Sequence, residues 1–419
     1  MRKPAKIRTV GTTSAILTLA VLCGAATSAF GQDPSSVVNN QVQAGDVFAQ
    51  GTLNIVTVEE GAQQSTTATG NSVQAYGDRT DMAVTSNQTL VGSVIAQTVV
   101  NVDTSLGSDT AISTTALGNT ADIGINQATL TGVITQTATF ADEVTARTQI
   151  EGDLAQAGDI TAATTAIANN ATLGLTNGAA GVRVNQSSNA EVLADGGAVM
   201  QYVSGTSAIS GVAVGNNISA VGDTASAQRL AFGQTNGAAL VQASKFTAYG
   251  NAQTAITTTT AAGNSAAAFN EGPLLDVTSQ QVNSAYVRSQ ADSSAYQFGS
   301  ASVNAYGAGN TAVAGNSGEA LVLDNTQWNG TAGVEVLATF SGTDGYDSYT
   351  QAVAVGNDVT GYACSDCTGT MGVTNTQTNN GDVSSSATNS VGAQGGRSVV
   401  GVSTATGNNA SFYVTRPGN

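Results

Sequence analysis

The 419-residue sequence contains no histidine, and only 12 lysine and arginine residues stand against 28 aspartate and glutamate residues. Without histidine, the Ser-His-Asp triad, the usual general base near neutral pH and histidine metal ligands are all excluded. The formal net charge of −16 argues against a phosphate-binding basic patch, and therefore against a nucleic-acid partner. We expect no catalytic residues, no metal site and no cofactor.

Aromatic residues and prolines are also scarce, at 5% of the chain and 4 residues respectively. This supply is thin for large globular cores and for the aromatic girdles of an outer-membrane barrel. The chain contains instead 49 glycines and many short runs of small and β-branched residues, such as residues 94–100. Apolar and polar residues alternate over residues 334–340, as in a half-buried strand. The composition predicts an all-β protein.

The N-terminal end of the chain has the pattern of a secretory signal peptide. Basic residues precede an apolar stretch that is too short to cross a bilayer, and small residues precede Gln32, with cleavage after Ala29 as the alternative. We therefore predict a signal peptide at 1–31 and an exported domain at 32–419. That domain contains the cysteines Cys364 and Cys367, for which we predict a local disulfide.

Two series of amide residues recur with a period of about 48 residues. The asparagines follow small residues at intervals of 46 to 51, and the glutamines recur at intervals of 46 to 50. From Asn71 to Asn357, each asparagine is followed by its glutamine at a nearly constant offset, so the two series keep phase. The asparagines are Asn71, Asn119, Asn169, Asn216, Asn264, Asn310, Asn357 and Asn408, and the glutamines are Gln41, Gln88, Gln136, Gln186, Gln234, Gln281, Gln327 and Gln377.

A regular period of this length favours a stacked array over a sandwich or barrel. We therefore predict a repetitive β-solenoid, or β-helix, with two coils of about 24 residues in each period and partial units at both ends. The Gly-Asn pairs are expected at sharp corners that require φ > 0. The repeated asparagines and glutamines are expected at these corners or in amide ladders that run from coil to coil.

The acidic chain without histidine, its signal sequence, its Gly-Asn corners and its amide-marked repeats together resemble the holdfast attachment protein D family of stalked alphaproteobacteria. The resemblance implies a cell-surface component that ties the holdfast polysaccharide to the cell pole. It also implies partners, namely a small anchor protein and an outer-membrane lipoprotein similar to the curli secretion pore. A weaker similarity to curlin repeats rests on Asn119, Ala121 and Gln127, although the regular partner of Asn119 is Gln136.

Three functions are compatible with these patterns. The first is a structural anchor or adhesin at the cell surface, associated with the outer membrane, that holds an extracellular polysaccharide through many weak contacts. The second is a curli-like fibre subunit that polymerises with copies of itself. The third is an extracellular polysaccharide-degrading β-helix enzyme, although the adjacent acids of the chain point to opposite faces of a strand.

Overall fold

The computed structural model describes residues 34–139, 143–364, 369–392 and 396–415. The predicted signal peptide and Cys367 lie outside these residues, and Pro34–Asn419 forms one compact unit. The described strands are β1 (Ser35–Gln43), β2 (Val47–Thr57), β3 (Gln63–Asp78), β4 (Met82–Leu90), β5 (Val94–Ser105), β6 (Asp109–Asn126), β7 (Thr129–Ala138), β8 (Glu143–Ala157), β9 (Asp159–Thr176), β10 (Ala179–Ser188), β11 (Glu191–Gly222), β12 (Ala227–Asn236), β13 (Leu240–Asn270), β14 (Leu274–Asn283), β15 (Tyr286–Asn316), β16 (Ala320–Asn329), β17 (Val334–Cys364), β18 (Thr370–Asn379), β19 (Val383–Val391) and β20 (Ser398–Thr415).

The strands pair only in parallel with the equivalent strands of neighbouring coils. In the first face of the solenoid, strands β1, β4, β7, β10, β12, β14, β16 and β18 follow one another as a single eight-stranded sheet. The second face is formed by β2, β5, β8, β19 and the first halves of β11, β13, β15 and β17. The third face is formed by β3, β6, β9, β20 and the second halves of those four long strands. The all-β solenoid predicted from the sequence is confirmed.

One coil, and not two, corresponds to one sequence period. Ser35 pairs with Met82 and Val47 pairs with Val94, so the chain returns to the same position after 47 residues. The prediction of two coils per period is therefore wrong, and the described residues form eight coils instead of about sixteen. Within the described residues, each of the eight coils contains strand segments of all three faces.

A coil is as long as a whole sequence period because it encloses two separate apolar cores. The larger core lies between the second face and the first half of the third face, with side chains such as Val100, Ile150 and Phe340. The smaller core lies between the first face and the second half of the third face, and includes Ile123 and Leu230. Along strands such as β5 and β10, buried residues alternate with less buried ones, as the period of two in a pleated strand requires.

Candidate functional site

The boundary between the two cores is lined by the repeated amide side chains. All eight asparagines lie at the bend in the middle of the third face, and the asparagines from Asn119 to Asn357 are fully buried. Each Nδ2 donates to the Oδ1 of the equivalent asparagine in the next coil, over 2.7–2.8 Å at every step from Asn71 to Asn408. The second proton of Nδ2 goes to a backbone carbonyl of the first face, such as that of Thr89 at 2.9 Å from Asn71.

The repeated glutamines form a second ladder on the facing strands. Gln88 donates through Nε2 to Oε1 of Gln41 at 2.9 Å, and the same contact recurs up to Gln377 at 2.7–2.9 Å. The other proton of Gln88 goes to the carbonyl of Thr120, the residue that follows Asn119. The asparagine ladder therefore donates toward the C-terminal coil, and the glutamine ladder donates toward the N-terminal coil.

The Gly-Asn pairs lie inside long strands and not at sharp turns, contrary to the sequence-based expectation. The only non-glycine residues with positive φ in the described part of the chain are Arg79, Gln127 and Asn177, which lie where the third face ends. Glycine precedes most ladder asparagines because the coils approach closely there. A Cβ on Gly215 would lie 2.6 Å from the carbonyl oxygen of Gly263 in the next coil. At this bend, the backbones of neighbouring coils therefore pack closely against each other.

Two further ladders were missed by the sequence analysis. A short asparagine ladder at the end of the first face joins Asn283 to Asn329 and Asn329 to Asn379, and Asn236 occupies the equivalent position one coil earlier. The pattern Gln-x-Asn in the last four coils is its sequence signal. Inside the larger core, threonine hydroxyls form a continuous chain at 2.7–2.9 Å through Thr66, Thr98, Thr114, Thr148 and Thr164.

The threonine chain ends at Lys245, a fully buried lysine that no sequence pattern singled out. Its Nζ donates to Oγ1 of Thr164 at 2.8 Å and to the carbonyl oxygen of Asp195 at 2.7 Å. Gly211 makes room for the side chain, because a Cβ there would lie 2.8 Å from Cε of Lys245. Burial lowers the pKa of Lys245 from 10.5 to about 7.

Two further kinds of chemical group occur among the described residues, namely surface acids and Cys364. Among the described residues, no group of three or more Cys, Asp or Glu side chains could hold a metal ion. A depression of about 470 Å³ on the second face contains Glu151, Asp153 and an Arg147–Asp195 ion pair of 3.9 Å. Cys364 is half-buried at the end of β17, and its predicted disulfide with Cys367 involves a residue outside the described part of the chain.

Eight coils held together by continuous side-chain ladders and presenting long polar faces define a structural β-solenoid. The chain belongs to the holdfast attachment protein D family, whose family model matches residues 56–333. A protein of Caulobacter vibrioides named holdfast attachment protein D is 46% identical over 68 residues, which cover 16% of this chain and 22% of the relative. No solved structure matches the chain. Within the described residues, no helix is long and apolar enough to cross a membrane.

Proposed function

We propose that this chain is a cell-surface anchor that attaches holdfast polysaccharide to the cell envelope through many non-covalent contacts. Membership of a family of holdfast attachment proteins supports this function. The structural observation that carries the proposal is the pair of uninterrupted amide ladders, which tie all eight coils into one unit. Weak contacts made by separate coils of one rigid unit add up, because binding at one coil raises the effective concentration at the next.

The mechanism is mechanical and requires no reaction. Export depends on the signal peptide predicted at 1–31, and the exported chain associates with the outer membrane together with a small anchor protein and a lipoprotein similar to the curli pore. The anchor holds the polysaccharide at its faces, which expose mainly threonine, serine, asparagine and glutamine side chains. Hydroxyl and amide groups of this kind exchange hydrogen bonds with sugar hydroxyls.

Deletion of the gene tests this function in the source bacterium. We expect cells that still produce the holdfast polysaccharide but release it into the medium, as measured by labelling the polysaccharide on cells and in the culture supernatant. A strain carrying the gene on a plasmid serves as the control and should retain the polysaccharide. Polysaccharide that remains entirely on the cells of the deletion strain would contradict the proposal. Protease treatment of intact cells should also degrade the anchor.

A second candidate function, a self-polymerising fibre subunit, is favoured by the two ends of the solenoid. Within the described residues, Nδ2 of Asn408 has no acceptor and Oδ1 of Asn71 has no donor. Gln41 likewise retains one free Nε2 proton, and Gln377 is not followed by a further glutamine donor. If one copy stacks on another, Asn408 donates to Asn71 and Gln41 donates to Gln377, so the direction of both ladders is preserved. Such head-to-tail contacts do not close and would produce a filament.

Sedimentation of the purified chain over a range of concentrations tests this second function. We expect assembly that grows with concentration, and the variant Asn408→Asp should abolish it because a carboxylate would then face Oδ1 of Asn71. The variant Asn101→Asp, placed in an exposed amide pair that belongs to neither ladder, should assemble normally. A wild-type chain that remains monomeric at every concentration would rule the fibre function out.

A further inference from the structure

The third face of the solenoid differs from the other two in charge. The first face carries Arg183 and Arg229, and the second face carries Arg147 and Arg288. The strand segments of the third face contain no lysine or arginine within the described residues, whereas Asp78, Asp122 and Asp358 lie among their outward-facing positions. Asp122 and Asp358 have no cation within ion-pairing distance among the described residues. This face therefore presents negative charge to a ligand.

A strip of aromatic side chains follows the same face across the last four coils. The strand register aligns Phe269, Gly315, Tyr362 and Tyr413 at one outward position, and we call these four residues the aromatic strip. A Cβ on Gly315 would lie 2.9 Å from Cδ1 of Phe269 and 3.6 Å from Cδ1 of Tyr362, so both rings lean over the glycine. The rings of Tyr362 and Tyr413 are 4.9 Å apart. Phe269 and Tyr413 remain 46% and 48% exposed.

The same arrangement recurs at the other end of the solenoid. Tyr76 lies at the equivalent position in the first coil, is 70% exposed, and leans over Gly124 of the second coil. Asp78 lies two residues after Tyr76 and therefore on the same face of the strand. Asp122 lies two residues before Gly124 on the neighbouring strand and also faces outward. An exposed ring flanked by two carboxylates attracts a cation, through the ring face as well as through the charges.

From these observations we infer that the third face binds a polysaccharide that carries protonated amino groups, with its sugar rings stacked on the aromatic strip. The inference rests on the proposed anchor function and identifies its binding face and the class of its ligand. Exposed rings provide flat apolar surface for the C–H faces of sugars, and ring faces and carboxylates both attract ammonium groups. Because the described strand segments of this face carry no lysine or arginine, the face is electrostatically complementary to an amine-bearing chain and repels an acidic one.

Titration calorimetry with the purified 32–419 chain tests the inference. The probes are chitosan oligomers, which carry amino groups, fully N-acetylated oligomers of the same length, and alginate oligomers, which carry carboxylates. We expect binding to chitosan that weakens as salt is added, weaker binding to the acetylated oligomers and none to alginate. The double variant Phe269→Ser/Tyr413→Ser should raise the apparent Kd for chitosan about tenfold, as loss of central aromatic anchors does at other interfaces.

The matched control is Tyr296→Ser/Tyr346→Ser, which removes two rings that are 63% and 65% exposed outside the third face. This control should bind chitosan like the wild type. A second variant, Phe269→Leu/Tyr413→Leu, keeps apolar bulk over the neighbouring coil but removes the aromatic rings. It should lose as much affinity for chitosan as the serine variant, and it replaces that variant in the test if the serine variant does not fold. Thermal melting verifies the fold of each variant.

The outcomes separate the inference from the function on which it rests. If the wild type binds chitosan and the strip and control variants bind equally well, the strip is not the binding surface, and the anchor function stands. If the acetylated and amine-bearing oligomers bind equally at all salt concentrations, the requirement for amino groups is wrong. If no oligosaccharide binds to the wild type, polysaccharide contact itself is contradicted, and the proposed function fails with it.

Discussion

At the scale of single residues, the solenoid depends on amides that are buried and fully hydrogen-bonded. A fully buried ladder asparagine such as Asn264 donates to Asn310 and to the carbonyl of Val282, and accepts from Asn216. Leaving any of these buried groups without a partner costs about 1–3 kcal/mol. Only an amide has both the two donors and the acceptor that the position requires, since a carboxylate cannot donate.

The variant Asn264→Asp should therefore be strongly destabilised at neutral pH. The carboxylate would face Oδ1 of Asn310 and the carbonyl of Val282, and its buried charge would keep only the amide of Asn216 as a hydrogen-bond donor. We expect a loss of about 3–5 kcal/mol, measured by chemical denaturation. The matched variant Asn101→Asp changes an exposed amide pair and should lose less than about 1 kcal/mol. Equal losses in the two variants would show that the buried ladder contributes nothing specific.

Lys245 makes the stability of the solenoid depend on pH. Its pKa is lowered from 10.5 to about 7 by burial, so below pH 7 the folded state carries the cost of a buried charge. Between about pH 7 and 10.5 only the unfolded chain binds this proton, and the free energy of unfolding therefore increases with pH. At pH 6, Lys245→Met should be more stable than the wild type by up to about 5 kcal/mol. The advantage should disappear near pH 10.

Denaturation of both proteins at a series of pH values measures this difference directly, because other titrating groups contribute equally to both curves. If the free energy of unfolding changes with pH in the same way for the wild type and for Lys245→Met, the amine of Lys245 does not titrate in this range. The sequence held little signal for Lys245, since the space for its side chain depends on Gly211, which lies in the preceding coil.

At the scale of strands, the close approach of neighbouring coils determines where side chains are tolerated. Gly197 on the second face has no space for a Cβ, which would overlap the carbonyl oxygen of Phe246 in the next coil. Gly181 on the first face has nothing within 4 Å of the same position. The two glycines look alike in the sequence, and their difference arises only from how the coils stack.

We expect Gly197→Ala to lower the free energy of unfolding by about 1–3 kcal/mol, since the backbones of β11 and β13 must separate locally. Gly181→Ala should leave stability unchanged or increase it slightly, because alanine restricts the unfolded chain. Thermal melting of both variants under the same buffer tests the pair. Indistinguishable melting temperatures would contradict the close contact between these two strands.

The sequence predicted the strand content and the period, but not the length of the coil. Alternation of apolar and polar residues is local, and it is visible in β5 and β10 without any knowledge of their partners. The number of coils in a period depends on which residues meet across the stack, which is a non-local property. Each asparagine and glutamine of the two series contacts the equivalent residue of the neighbouring coil once per sequence period, so the two series keep a constant phase. A constant phase is compatible with one coil or with two coils per period, and only the strand register decides between them.

At the scale of the whole molecule, each coil packs mainly on the coils before and after it, and the Lys245–Thr164 hydrogen bond reaches one coil further. Asn264 and Asn310 occupy equivalent positions in neighbouring coils, as do Ser265 and Thr311. Removal of residues 265–310 therefore joins Asn264 to Thr311, which reproduces the normal Asn310–Thr311 link. We expect this deletion of one complete coil to fold with the same register and to unfold cooperatively. Circular dichroism and thermal melting measure both properties.

The contrasting deletion removes residues 265–287, about half of a coil. The third face would then continue into the wrong strand and the side-chain ladders would lose register, so we expect no cooperative unfolding transition. If this shorter deletion folds as well as the complete one, the assignment of one coil to each sequence period is incorrect.

The opposite directions of the two amide ladders have an electrostatic consequence for longer stacks. Every amide group carries a dipole, and a single ladder would add one aligned dipole for each coil, as an α-helix does for each peptide. Here the dipole of each added asparagine is opposed by that of the glutamine in the same coil, and the backbone of a sheet has little net dipole of its own. The contribution of the two long ladders to the field at the ends of the molecule therefore does not grow with length, and a coil gained or lost during evolution leaves that contribution unchanged.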